Sequence, residues 1–499
     1  MEVRPLAGTT VWRGAMGETV MALRRDRMFL VVLLGVLVVA ALLRLWDLSV
    51  RPGFDWDEPV YASIGANLAD HGLLQAKIEA GMPAEPYLYH PPFYFLLLAA
   101  WFRLWGSGIP QARALAAVGA IALVLLVALF LRRAAGTLPA LLAASVLALD
   151  GWMVFTNRVS SIENTMLPLG VATLWLYWTA DRRGRTGWFV AAGIALAGVA
   201  VYKHVGVYFL GAALLHWLLV RRHHRQHLAM VGAAALTAAA YLAGVSLWFG
   251  GAYWRESTVQ FDRSVNLQQS RGAINSVSDA VGPLLDQYRV FWLTLLLAGI
   301  ATALVLTRAV QMVRRRSLAP IRGRELLFAW AAAAMLFFAA LQLRLPQYFV
   351  MFVVPTYCYL AAEVGAALDR RASTPRPVPR RAVAVGLALL AAWSLTVFWL
   401  RIADRDDNAM GQAAQWVDQH VPVGAEIITE ESVGAAIRQP YCKMYRAGQC
   451  TGAEYLITYE SHTQHLPDDA SLGRIIAAAD RIAEFSGFKE HITVYRIAR

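Results

Sequence analysis

Apolar runs close to the length of a membrane span recur along this 499-residue chain, at 28–46, 113–131, 138–156, 162–180, 188–202, 205–220, 228–249, 290–307, 326–343, 348–367 and 382–400. A transmembrane helix needs about 20 such residues, with a range of roughly 17–25. Basic clusters punctuate the runs: Arg24/Arg25/Arg27, Arg132/Arg133, Arg182/Arg183/Arg185, Arg221/Arg222/Arg225, Arg308 to Arg324 and Arg370 to Arg381. If the chain starts inside and every run spans, all these clusters fall on the cytoplasmic side, as positive-inside topology demands. A further apolar stretch, 93–105, is too short to cross unaided. Counting it as a span would invert every later cluster. It is expected to be a juxtamembrane helix at the outer interface, a depth that suits Trp101, Phe102 and Trp105. The pattern therefore predicts a polytopic α-helical membrane protein of about eleven spans, amino terminus in and carboxyl terminus out.

The domain reading follows from the same pattern. Residues 1–27 are expected to form a short cytoplasmic tail without a cleavable signal, and 28–400 a transmembrane domain whose first external loop is 47–112. Residues 401–499 change character. Glu426 to Thr429, Tyr455 to Tyr459 and Ile492 to Tyr495 read as strands and Ile475 to Phe485 as a helix, which predicts a small external α+β domain. Cys442 and Cys450, eight apart in that domain, suggest a disulfide in an oxidising compartment. The net charge of +12 comes almost wholly from arginine, and lysine occurs only at Lys77, Lys203, Lys443 and Lys489. Because the arginines lie in short clusters between apolar runs, the basic balance is read as a topology signal and not as a nucleic-acid surface.

Polar chemistry gathers on the predicted external side. Asp55-Trp56-Asp57-Glu58 follows the first run, then Tyr61 and Tyr89-His90-Pro91-Pro92; Arg158, Glu163, Lys203 and Arg344 with Tyr348 fall at other external helix ends. Acids clustered near a bilayer are costly and usually functional. A carboxylate can take a proton from an acceptor hydroxyl, an ammonium suits a phosphate as a point charge, and a guanidinium meets its oxygens as a fork. Each residue also has a plainer reading: Glu163 as a helix-end acid, Lys203 as a snorkelling side chain, Arg158 as an anchor. Metal ligation by Asp57, Glu58 and His90 fits oxygen and imidazole chemistry, though spacing alone does not establish it. Neither a GxxxxGK[ST] loop nor a strand-linked GxGxxG occurs.

Asp57-Glu58-Pro59-Val60-Tyr61-Ala62, then Tyr89-His90-Pro91-Pro92-Phe93-Tyr94 and Trp105-Gly106, resemble the first external loop of the GT-C glycosyltransferases. The nearest branch holds bacterial protein O-mannosyltransferase-like enzymes and the lipid A aminoarabinose transferase. The chain departs from the aminoarabinose branch at Val60, at Tyr89-His90 and at Glu163. The resemblance spans roughly 28–400 and implies a bacterial inner-membrane enzyme using a polyprenyl-phosphate sugar donor, with the site facing outside. The acceptor would be a lipid, a glycan or a protein. It implies Asp57 in the catalytic position with Glu58 beside it. Lys203, Arg344 and Tyr348 would meet the lipid phosphate, and Tyr61, His90, Arg158 and Glu163 would line the substrate site. The competing readings are a transporter or flippase of a lipid-linked saccharide and a non-catalytic envelope-assembly subunit. Transporters place charges near the midplane, often in inverted repeats, whereas here they lie at helix ends.

Overall fold

The computed structural model describes residues 8–49, 51–52, 57–77, 80, 86–256, 258, 291–340, 348–372, 380–402, 408–459, 470–487 and 491–497. Helices occupy every one of the apolar runs. They are α1 (Gly8–Leu45), α4 (Ile109–Ala134), α5 (Thr137–Leu149) with α6 (Gly151–Thr156), α7 (Ile162–Arg183), α8 (Thr186–Tyr202), α9 (Val207–Val220), α10 (His224–Phe249), α11 (Trp292–Arg315), α12 (Glu325–Ala340), α13 (Phe349–Ala372) and α14 (Arg380–Val397). The loop after α1 carries α2 (Glu58–His71) and α3 (Phe93–Trp105). Five helical segments are long and apolar enough to cross a membrane by length and composition: Asp26–Leu45, Ile109–Ala134, His224–Phe249, Trp292–Arg315 and Phe349–Leu368. This is a multi-pass membrane protein. One expectation changes at the start: the segment read as a tail is helical from Gly8 and continuous with the first run.

The bundle packs around α4 and α7, whose buried faces are largely small and aliphatic. Glycines permit the closest approaches. A Cβ on Gly119 of α4 would lie 2.6 Å from the Asn164 carbonyl of α7, and one on Gly193 of α8 would lie 2.2 Å from the Met230 carbonyl of α10. Polar staples then fix the end of the bundle that carries the first loop. Arg44, fully buried, donates to the Leu147 carbonyl at 2.8 Å, the Ala148 carbonyl at 2.9 Å and Asn157 Oδ1 at 3.1 Å. These bonds clamp α1 to the corner between α5 and α7, and in an apolar interior such a cation persists only when satisfied in this way.

The helix α3 ends where the sequence places it. It buries Tyr94, Phe95, Leu98, Ala99 and Phe102 and leaves Leu104 and Trp105 exposed. The C-terminal region contains α15 (Ala409–His420), α16 (Glu431–Ala436), α17 (Ala470–Ala478) and the strands β1 (Ile427–Thr429), β2 (Tyr441–Lys443), β3 (Tyr455–Tyr459), β4 (Ala479–Ser486) and β5 (His491–Ile497). The sheet order is β2-β1-β3-β5-β4. Strand β1 runs parallel to β2 and β3, and β5 pairs antiparallel with β3 and β4. Here a second expectation is corrected: 475–485 is helical only to Ala478 and continues as β4. Ala479 to Ser486 pair residue by residue with Ile497 to His491, across one irregularity at Arg481/Ala483, so ladder hydrogen bonds and the half-buried Ala483 and Phe485 override helix propensity. Cys442 and Cys450 form a disulfide with Cα atoms 6.2 Å apart.

Candidate active site

Asp57 sits at the N-cap of α2, with Pro59 in the first turn. A proline there is preorganised for a helix start, and a carboxylate is favoured by the helix dipole. The next residue faces elsewhere. Glu58 is fully buried and takes a bidentate pair from Arg113 of α4, Nε to Oε1 at 2.8 Å and Nη2 to Oε2 at 2.6 Å, as well as the Ser160 backbone N–H at 2.6 Å. Arg113 also donates to the carbonyls of Leu48 and Pro52. Two adjacent carboxylates therefore have different tasks. Glu58 anchors α2 to the bundle, which corrects its placement beside Asp57 in the chemistry. Arg113, the partner that sequence reasoning missed, was visible only as a lone cation at the start of an apolar run.

Asp57 is half-buried and joins a second set of groups. Tyr61, one turn along α2, donates from its hydroxyl to Asp57 Oδ2 at 3.3 Å and lies 2.9 Å from His90 Nε2. With the phenol donating to Asp57, His90 Nε2 must carry its own proton toward Tyr61. Burial and the nearby Lys203 ammonium hold His90 well below the ordinary histidine range, so the ring is neutral at pH 7. Burial raises the Asp57 carboxyl above its ordinary value; Lys203 opposes that rise and Glu163 adds to it. Raising the pKa makes the carboxylate a better proton acceptor while leaving it ionisable.

The cation of the cluster comes from the break between α8 and α9. Lys203 follows the last residue of α8 in extended geometry, and its ammonium is buried 2.5 Å from Glu163 Oε1, in the first turn of α7. It also lies over the Tyr348 ring, 5.1 Å from the centroid. Burial works against this charge, but Glu163 and Tyr348 more than offset it, and the lysine pKa ends above its ordinary value. Asp57, Tyr61, His90, Glu163, Lys203 and Tyr348 thus form one electrostatically connected group.

Two other sequence candidates fall outside the group. Arg158 donates to the backbone carbonyls of Leu43 at 2.9 Å and Arg51 at 3.1 Å and so closes the end of α1. Arg344 lies outside the described residues. The metal trio of Asp57, Glu58 and His90 does not assemble, because Glu58 is turned to Arg113, and among the described residues no group of three or more His, Cys, Asp or Glu is arranged to hold a metal ion. A cavity of about 260 Å³ at the basic-loop end, lined by Asp181, Arg222 and Arg324 among others, shares no residue with the cluster.

Residues 89–249 match the family model described as dolichyl-phosphate-mannose-protein mannosyltransferase. The chain is similar in structure to ArnT from Cupriavidus metallidurans bound to undecaprenyl phosphate, with a TM-score of 0.57 and 15% identity over 94% of this chain and 97% of that one. It is also similar to the Archaeoglobus fulgidus oligosaccharyltransferase tethered with an acceptor peptide, at a TM-score of 0.58 and 14% identity over 95% of this chain and 74% of that one. The archaeal oligosaccharyltransferase AglB from Archaeoglobus fulgidus, in complex with an inhibitory peptide and a dolichol-phosphate, matches at a TM-score of 0.55 and 14% identity over 88% of this chain and 70% of that one. No curated protein matches by sequence. The fold is shared with ArnT and the archaeal oligosaccharyltransferase, and the family model takes in the Tyr89-His90-Pro91-Pro92-Phe93-Tyr94 and Trp105-Gly106 part of the loop resemblance.

Proposed function

We propose that this protein transfers a sugar from a polyprenyl-phosphate donor to an acceptor hydroxyl on the outer face of the bacterial inner membrane, with Asp57 as general base. One observation carries the reading: the half-buried Asp57 carboxylate, bonded by Tyr61, lies within the electrostatic reach of the buried Lys203–Glu163 pair, at the end of a bundle with the fold of ArnT. Asp57 takes the acceptor's hydroxyl proton as its oxygen attacks the anomeric carbon. The bond from that carbon to the phosphate oxygen breaks, and the electron pair leaves on the lipid phosphate. Lys203 meets the charge that develops there, with Glu163 holding the ammonium in place and Tyr348 beside it. Arg344 is assigned to the same phosphate from its place in the sequence. Tyr61 and His90 orient the base. The names of solved relatives support the donor class, since ArnT is bound to undecaprenyl phosphate and AglB to dolichol-phosphate. The outward orientation rests on the basic clusters.

The experiment is a split between binding and turnover in the purified full chain. Asp57→Asn should lower transfer by about 10²–10⁴ while undecaprenyl phosphate binding stays near wild type. Below the raised Asp57 pKa the base is protonated, so wild-type transfer should fall at a pH above the ordinary aspartate range. Wild-type transfer by Asp57→Asn would overturn the assignment.

A further inference from the structure

A fully coordinated ammonium lies outside the cluster. Lys77, in the loop after α2, donates to three carbonyls of the C-terminal region: Gly434 at 2.9 Å, Ile437 at 2.6 Å and Gln439 at 2.7 Å. All three ammonium protons are used. Around it, Ala80 N–H donates to the Tyr441 carbonyl at 2.7 Å, and the Tyr441 hydroxyl donates to the Lys77 carbonyl at 3.2 Å. Lys77's own N–H reaches Ser63 of α2 at 3.2 Å. A Cβ on Gly434 would come within 2.4 Å of the Tyr441 ring, so this short helix needs a glycine to seat against the tyrosine. Helix α16 packs on α2, and its Ala435 reaches the core of the membrane bundle. In a chain whose cations are overwhelmingly arginine, a lysine here has a geometric reason. Three carbonyls converging on one point fit a compact ammonium and not a planar fork.

We propose that Lys77 is a positioning residue for the transfer site: by tying α16 to the first loop it holds the C-terminal domain, and with it the Glu431 carboxylate, beside the end of α2 that carries Asp57. This rests on the reading of Asp57 given above. Glu431 is the first residue of α16 and pairs with Lys443 at 3.2 Å. Its charge is felt at Asp57 and at Tyr87, raising both, whereas Lys203 and the Tyr61 hydroxyl lower Asp57 and Glu163 raises it. Burial is the largest cause of the raised Asp57 pKa, and on this proposal the docked domain contributes to that burial. Releasing the domain removes a negative neighbour and admits water, and both changes lower the Asp57 pKa.

The test uses the full chain in lipid nanodiscs. Hydrogen exchange across 431–443 reports docking. An infrared titration reports the Asp57 carboxyl, assigned by its loss in Asp57→Asn. Transfer is measured with membranes of cells lacking the gene as the source of donor and acceptor. Lys77→Met should speed exchange over 431–443, move the Asp57 titration to lower pH and cut transfer by roughly 10²-fold. Glu431→Gln should move the titration the same way by less, and the double variant should titrate as Lys77→Met alone. Lys77→Arg should fail to restore the wild-type titration. If Lys77→Met does not fold, Tyr441→Phe, which removes one bond of the latch, should shift exchange and titration in the same directions. Exchange that rises while the Asp57 titration stays put overturns the proposal, and so does a wild-type titration with wild-type transfer. If Asp57→Asn transfers normally, the catalytic reading fails, while exchange and titration still decide the docking.

Discussion

The Glu58–Arg113 pair should behave as an all-or-none anchor. Both side chains are fully buried, and the pair is joined by two hydrogen bonds of 2.8 and 2.6 Å. Arg113→Leu would leave the Glu58 carboxylate in a desolvated site with the Ser160 N–H still on it. Breaking a buried pair from one side costs about 3–5 kcal/mol. Replacing both partners, as in Arg113→Leu with Glu58→Met, removes the stranded charge. The single and double variants alike lose the donors to the Leu48 and Pro52 carbonyls; what the double variant adds is the loss of the acceptor for Ser160 N–H, about 1–3 kcal/mol. The double variant should therefore be more stable than Arg113→Leu alone by about 2 kcal/mol, the difference between these ranges. SDS-titrated unfolding of the reconstituted protein reads the ranking. Asp57→Asn belongs in the same series: the bond from Tyr61 is long, at 3.3 Å, and asparagine keeps the side-chain shape and an acceptor oxygen, so its stability should stay within about 1 kcal/mol of wild type while its turnover collapses. If the double variant is destabilised by the sum of its singles, the anchor reasoning is wrong.

Lys203→Met should weaken undecaprenyl phosphate binding as well as turnover, because its charge meets phosphate in both the ground and transition states; unchanged binding in a filter assay would remove Lys203 from the donor site. Cys442→Ser should destabilise the C-terminal domain by about 2–3 kcal/mol, given the eight-residue separation of the bridged cysteines, read as earlier melting that reductant reproduces in the wild type. Single cysteines placed near Arg132 should resist a membrane-impermeant reagent in intact cells, and cysteines placed after 408 should react; the reverse pattern would invert the topology.

The positions of the helices were legible in the sequence because apolar length in a bilayer is a local quantity. All the apolar runs became helices, and 93–105 kept its boundaries. The acids, Lys203 and Tyr348 could be nominated for the same reason, since charge at the end of an apolar helix is conspicuous in one dimension. What each charge does was decided in three dimensions. Asp57 and Glu58 are neighbours in sequence, yet helical geometry turns one toward Tyr61 and the other toward an arginine 55 positions away. Arg158 read equally as a substrate-site residue and as a helix-end anchor, and the bundle offers it the carbonyls at the end of α1. Helix 475–485 became partly strand because β5 presented a ladder. Lys77 stood out in the sequence only as one of four lysines, and its task was not legible there, since its three acceptors are carbonyls that lie more than 350 residues on and carry no side-chain identity. Burial and partnering depend on which segments the fold brings together, and these are what separate a base from an anchor.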